Sequence, residues 1–314
     1  MEDTVFLSPV TLIEKEKEEM TENKKKHLMK KLREMNVIDN FLFQEIMADE
    51  ERGKEACRLI LGRILNREIG EIDFTPEKVV PGVSEENHGI RMDAYITEHT
   101  DETDKVIDGI RIYDLEPDKK SEKKSELPKR SRYYTDLIDV QLLETSVNYD
   151  KLPELVSIFI LSYDPFGADA MIYEAGSIIK THPDIPYDDG IRRLFLYVDG
   201  KLPENAGENE KKLKALLKYI GSSTEENVTD EEIRRLNAIV KTVKSKKDVG
   251  VRFMKSWERE NEIREEVRAE ERKKIEAEKQ RADEAEAKAN KAEEKASKAE
   301  AELAKYKAKF GEIA

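Results

Sequence analysis

The stretch from Gly89 to Asp118 constrains this chain more than any other. It reads Gly-Ile-Arg-Met-Asp-Ala-Tyr-Ile, then a polar loop, then Gly-Ile-Arg-Ile-Tyr-Asp-Leu-Glu-Pro-Asp. Both flanking runs alternate apolar and polar residues, the period-2 pattern of half-buried strands, and the acidic loop from Glu98 to Gly109 carries turn residues. A hairpin is therefore expected. Centred near Asp104, antiparallel pairing brings Asp93 opposite the segment Asp114 to Glu116, so two carboxylates meet at one end of a sheet. Such a pair of hard oxygen donors can hold a divalent cation.

The rest of the chain supplies elements to surround this hairpin. Upstream, a charged helix is predicted from Thr11 to Met35, with Leu28, Leu32 and Met35 facing inward. Asp39 or Asn40 caps a short helix ending at Met47, and apolar residues at helical spacing (Ala56, Leu59, Ile60, Ile64) mark another from Asp49 to Leu65. Alternation from Ile69 to Val80 gives a strand. Downstream, the Lys/Ser/Glu run after Asp118 reads as a loop, and Pro128 opens a helix reaching Ser146. The continuous apolar run within Glu154 to Tyr163 suits the centre of a sheet. Further strands are expected at Asp169 to Ile179 and Arg192 to Val198, then helices at Glu208 to Ile220 and Asp230 to Lys244.

The C-terminal segment carries a different signal. Ala282, Ala285, Ala289, Ala292, Ala296, Ala299, Leu303, Tyr306 and Phe310 alternate spacings of three and four on a Glu/Lys/Ala-rich background, a heptad seam. Alanine buries little area, so the segment reads either as a modest coiled coil, a homodimer through residues 275–310, or as a single exposed helix held by Glu-to-Lys pairs.

Charge limits the partners. The chain has 314 residues and a formal net charge of −13. From Lys255 onward 16 basic and 17 acidic residues nearly cancel, which leaves −12 on the part before it. Affinity for a phosphate backbone comes largely from Lys and Arg, so nucleic-acid binding here needs a local basic patch or a neutralising metal. The four histidines are scattered without ligand spacing, which argues against zinc, and the lone Cys57 reads as a buried core thiol. No apolar run reaches the roughly 20 residues that span a bilayer and the N-terminus lacks a signal-peptide core, so a cytoplasmic protein without membrane partners is expected.

The order of these features is similar to that of a known family. An Asp in a strand after Gly-Ile-Arg, a hairpin, and an Ile-Tyr-Asp-Leu-Glu strand resemble the PD-(D/E)XK nuclease superfamily. The resemblance is to the branch of Rpn-type recombination-promoting nucleases and PD-(D/E)XK nuclease family transposases. Asp39-Asn-Phe-Leu-Phe43, Leu127-Pro-Lys-Arg-Ser-Arg-Tyr-Tyr134 and Ser157-Ile-Phe-Ile160 fit the same branch, over residues 36–200.

The resemblance implies an α/β, restriction-endonuclease-like fold: a central mixed β-sheet flanked by helices, here with a long C-terminal helix or coiled coil. It implies Asp93 and Glu116 as ligands of Mg²⁺, with Mn²⁺ as a substitute, and DNA as the partner. Glu45 becomes a candidate third acid, and Lys129, Arg130 and Arg132 at the start of the following helix become candidate phosphate contacts. The pattern wants Lys or Gln two residues beyond the Glu, and this chain has Asp118 there. The missing role falls to Lys119, Lys120 or Gln141. The expected organisation is a charged helix (1–35), a nuclease-like domain (36–200), a helical extension (201–248) and a long helix (249–314). The expected function is a Mg²⁺-dependent DNA endonuclease associated with recombination or transposition. Its rival is a catalytically degenerate nuclease fold that binds and self-associates through its tail.

Overall fold

A computed structural model describes residues 9–82, 84, 86–99, 110–143 and 148–311, with side chains from residue 22. Three helices come first: α1 (Pro9–Glu34), α2 (Asn40–Met47) and α3 (Glu50–Leu65). Strands β1 (Glu71–Val80), β2 (Ile90–His99) and β3 (Ile110–Asp118) follow, then α4 (Leu127–Leu142), β4 (Glu154–Leu161), β5 (Ile172–Ala175) and β6 (Ile191–Tyr197). Helices α5 (Glu208–Gly221), α6 (Glu231–Ser245) and α7 (Lys247–Phe310) complete the chain. None of the described helices is long and apolar enough to cross a membrane.

The six strands form one mixed sheet in the order β1-β2-β3-β4-β6-β5. β1, β2 and β3 are mutually antiparallel, β3, β4 and β6 run parallel, and β5 returns antiparallel on the far edge. The two central strands, β3 and β4, are the most deeply buried. In β4 every residue from Leu155 to Leu161 is buried, as a strand covered on both faces requires. The chain through Phe253 is one compact unit, so the charged N-terminal helix and the helical extension belong with the sheet, and Met254 onward is a second unit.

Local chemistry explains the helix ends. Asp49 caps α3 by accepting from the Arg52 amide at 3.1 Å, Glu50 and Glu51 lie in its first turn, and Asn66 closes it in the left-handed conformation. Asp230 caps α6 on the Ile233 amide at 3.0 Å. Cys57 is fully buried, and burial pushes its thiol up to about 12.

Three expectations are corrected. The polar run after Asp118 holds a 3-10 helix, Ser121–Glu126, wound directly into α4. The strand expected over Asp169 to Ile179 is reduced to the four residues of β5, because those after it are largely exposed and join no neighbouring strand among the described residues. α4 ends at Leu142, Leu143 after it is extended, and residues 144–146 of the helix expected to Ser146 lie outside the described residues, as do residues 100–109 of the hairpin loop.

The hairpin register holds: His99 pairs with Ile110, Tyr95 with Asp114 and Ala94 with Leu115. A buried polar lock sits at its loop end. The Glu98 carboxylate accepts from Arg67 at 2.7 and 2.5 Å, from the Tyr113 hydroxyl at 2.6 Å and from the Gly70 amide at 2.8 Å. Burial alone would push Glu98 up, but these donors outweigh it and hold its pKa down to about 2. A folded value below the ordinary 4.5 means that Glu98 stabilises the fold above that pH, and that this contribution is lost as pH falls toward 2. Glu98→Gln is therefore expected to lower unfolding free energy at neutral pH by roughly 2–3 kcal/mol, less than for a fully buried pair because Arg67 is partly solvated. The deficit relative to wild type should shrink on acidification, as read by urea melts across pH.

Candidate active site

The other end of the hairpin carries the acids. Extending the register past Ala94 and Leu115 sets Asp93 against Glu116, and the Asp93 amide donates to Glu116 Oε1 at 2.7 Å. Alternation along β3 puts Asp114, Glu116 and Asp118 on one face, the face that Asp93 shares. All four are less than a tenth exposed. Gln44 of α2 donates to Asp93 Oδ1 at 3.2 Å, and Ser157, opposite Asp114 on β4, donates to Asp114 Oδ2 at 3.0 Å. The remaining oxygen, Asp114 Oδ1, is buried without a hydrogen-bond partner among the described residues.

Asp93, Glu116 and Asp118 open on a cleft of about 320 Å³, and Asp114 is fully buried and does not line it. Gln44, Arg91, Asp93, Glu116, Asp118, Lys119, Lys120, Arg130 and Tyr134 are among its lining residues. It lies where β3 ends and α2 and α4 flank the sheet. A larger cavity of about 770 Å³ borders α3, α5 and α6, but its arginines Arg58, Arg63, Arg67 and Arg235 are already engaged: Arg58 by the Gly70 carbonyl, Arg63 by Asp230 and Glu232, Arg67 by Glu98, Arg235 by Glu55. The smaller cleft is the one with carboxylates gathered at its floor.

Burial pushes Asp93 up to about 6, against the opposing hydrogen bond from Gln44 and with help from the Glu77 charge. It pushes Asp114 up to about 7 despite the Ser157 donor. Glu116 is raised well above the ordinary carboxylate value, by burial first and then by the charges of Asp114 and Asp93. The three carboxyls share a poorly solvated space and resist joint ionisation. Asp118 has partners of its own. Its Oδ2 receives Arg130 at 2.5 Å, its Oδ1 receives the Lys120 amide at 2.7 Å, and the Tyr163 hydroxyl stands 3.4 Å away. Arg130 in turn lies over the Phe159 ring at 5.3 Å.

Several candidates lie elsewhere. Lys119 borders the cleft, but its ammonium pairs with Asp39 at 2.6 Å. Gln141 is exposed at the far end of α4, eleven residues or about 16 Å along the axis from Arg130, and does not line the cleft. Of Lys129, Arg130 and Arg132, only Arg130 lines it; the other two are exposed. Glu45 points to Arg252 at 2.6 Å, and its neighbour Gln44 is the α2 residue that reaches Asp93. Lys120 is exposed at the mouth.

Reading the sequence missed Gln44, Asp114, Arg91 and Tyr134. Parity along β3 would have found Asp114, which stands two residues before Glu116. Glu77 was missed too. It falls across from Asp93 on β1, in a left-handed conformation (φ 49°) that interrupts the ladder there, and pairs with Arg91 at 3.7 Å.

Among the described residues, no three His, Cys, Asp or Glu side chains converge as a ready-made metal cage. The donors nevertheless suit a hard cation. Mg²⁺ is commonly held by one or two carboxylates and completes its shell with water and substrate phosphate. Asp93 and Glu116 are two such donors, side by side on the cleft. Comparison with protein-family models, with curated proteins and with solved structures finds no match.

Replacing Arg130 by Gln should remove the cation that offsets this acidic face. Unfolding free energy is expected to fall by roughly 3 kcal/mol near pH 8 and by less near pH 5, where raised carboxyls such as Asp93 and Asp114 are largely protonated. Denaturant melts at the two pH values check this.

Proposed function

We propose that the chain is a Mg²⁺-dependent DNA phosphodiesterase with its site in the β2–β3 cleft. One observation carries the reading: Asp93 and Glu116 adjoin across the hairpin, half-enclosed, in an open cleft that also holds Arg91, Lys120 and Arg130. Acids at the floor and cations at the rim are what a metal-assisted attack on a phosphodiester needs. The family resemblance points the same way and makes recombination or transposition in the cytoplasm the natural setting.

Asp93 and Glu116 are the proposed ligands, and Mn²⁺ would substitute. The metal, when bound, supplies a water of lowered pKa and neutralises charge on the scissile phosphate. Gln44 fixes the Asp93 carboxylate from α2, and the Asp93 amide fixes Glu116. Lys120 and Arg91, both exposed at the rim, meet the phosphate backbone and overcome locally the repulsion expected of a chain with net charge −13. Arg130 pairs with Asp118 and offsets its charge at the edge of the cleft.

The Asp118–Arg130 pair also favours a second reading. Where the resemblance calls for a lysine or glutamine, this chain has an acid already engaged by an arginine. A site so filled can bind metal and DNA without cutting.

Purified protein with Mg²⁺ or Mn²⁺ is expected to nick DNA, and Asp93→Ala or Glu116→Ala to reduce the rate by roughly 100-fold or more, about 3 kcal/mol of barrier for a misplaced metal. Activity that persists in chelator, or in both variants, refutes the assignment. Inert wild type that still binds DNA more tightly with Ca²⁺ than with chelator selects the second reading. Binding should weaken steeply with salt, and Lys120→Ala should cost more affinity than Lys129→Ala with Arg132→Ala, which lie off the cleft.

A further inference from the structure

Helix α7 runs to Phe310, and from Glu262 to Lys309 every residue is exposed. Its large apolar residues are no exception, since Ile275 is 66%, Leu303 57% and Tyr306 68% exposed. These three fall on the same heptad frame as the alanine seam. With Ala282 as an a position, Ile275 and Leu303 are also a positions and Tyr306 is a d position.

The flanking charges supply an independent constraint. In a parallel, in-register pair, each g residue faces the e residue five positions further along the other chain. In this frame those pairs are Arg281 with Glu286, Lys288 with Glu293, Lys295 with Glu300, and Glu302 with Lys307. All four are of opposite sign, and the last pair keeps the match although both of its signs are reversed. One heptad earlier the pattern breaks, because Glu278 occupies d and Lys274 would face Lys279. An antiparallel pair centred at Glu294 instead sets Glu286 against Glu300, Arg281 against Lys309, and Glu293 and Lys295 each against its own copy, all repulsive. Only Lys288 with Glu302 is attractive in that arrangement.

We propose that α7 from Arg281 to Phe310 is a docking surface for a second copy of this chain, joined parallel and in register. Leu303 and Tyr306 supply apolar area at the far end, the alanines allow close approach, and the g–e contacts select orientation and partner. The proposal is independent of any chemistry at the β2–β3 cleft.

The test is sedimentation of the full chain over a concentration series, with three variants. Wild type should show a reversible monomer–dimer equilibrium. Lys288→Glu with Lys295→Glu should weaken it by about tenfold or more, because each reversal turns two attractions of a symmetric dimer into repulsions. Glu293→Lys with Glu300→Lys should do the same alone, and mixing the two variants should restore association as a heterodimer, which also shows that both still fold. Ala282→Cys should cross-link to itself on oxidation, a contact that only a parallel pair makes; native Cys57 is buried and does not compete. Wild type that stays monomeric throughout overturns the proposal. So does a dimer indifferent to the charge reversals, or one in which Ala282→Cys fails to cross-link.

Discussion

The arrangement of the site depends on the register between β2 and β3. Because side chains alternate with period two, a slip of one residue would turn Asp93 away from Glu116 and move the whole acidic row of β3 to the opposite face. The hairpin resists this at its loop end, where Arg67, Tyr113 and the Gly70 amide all converge on the Glu98 carboxylate. Five residues separate Glu98 from Asp93 on β2, about 17 Å of strand. A buried carboxylate at one end of the ribbon thus sets the geometry of the acids at the other.

At the acid end, the fold gathers more negative charge than an enclosed surface holds without compensation. Asp118 is answered by Arg130. Asp93 and Asp114 are met by the neutral donors Gln44 and Ser157, and burial raises both of them together with Glu116. Binding a divalent cation relieves such repulsion, and perturbed carboxyls gathered in a cleft mark a candidate functional site on physical grounds. α2 and α4 approach from either side with Gln44 and Arg130, so the surroundings of the acids depend on elements before and after the hairpin.

Much of this was legible because its signals are periodic. Alternation about a centre near Asp104 located the hairpin and set Asp93 against the segment Asp114 to Glu116, and apolar residues at helical spacing located the helix from Asp49 to Leu65. What failed depended on helix phase and on contacts distant in sequence. Nothing in the local pattern says that Gln44 rather than Glu45 turns to the sheet, since Arg252, which claims Glu45, lies about two hundred residues away. Likewise Arg130 faces Asp118 while Lys129 and Arg132, a position before and two after, turn to solvent, and Gln141 is carried too far along α4 to contribute. The lysine at 119 is drawn off by Asp39, an acid first read as a helix cap.

The central claim is that Asp93 and Glu116 jointly hold a divalent cation. Crystals grown or soaked with Mn²⁺ and measured at its absorption edge test it most directly. The account predicts an anomalous peak in the β2–β3 cleft, within coordination distance of both carboxylates, that disappears in Glu116→Gln. A cleft without a peak at saturating Mn²⁺, or a peak bound only by other residues, would contradict it.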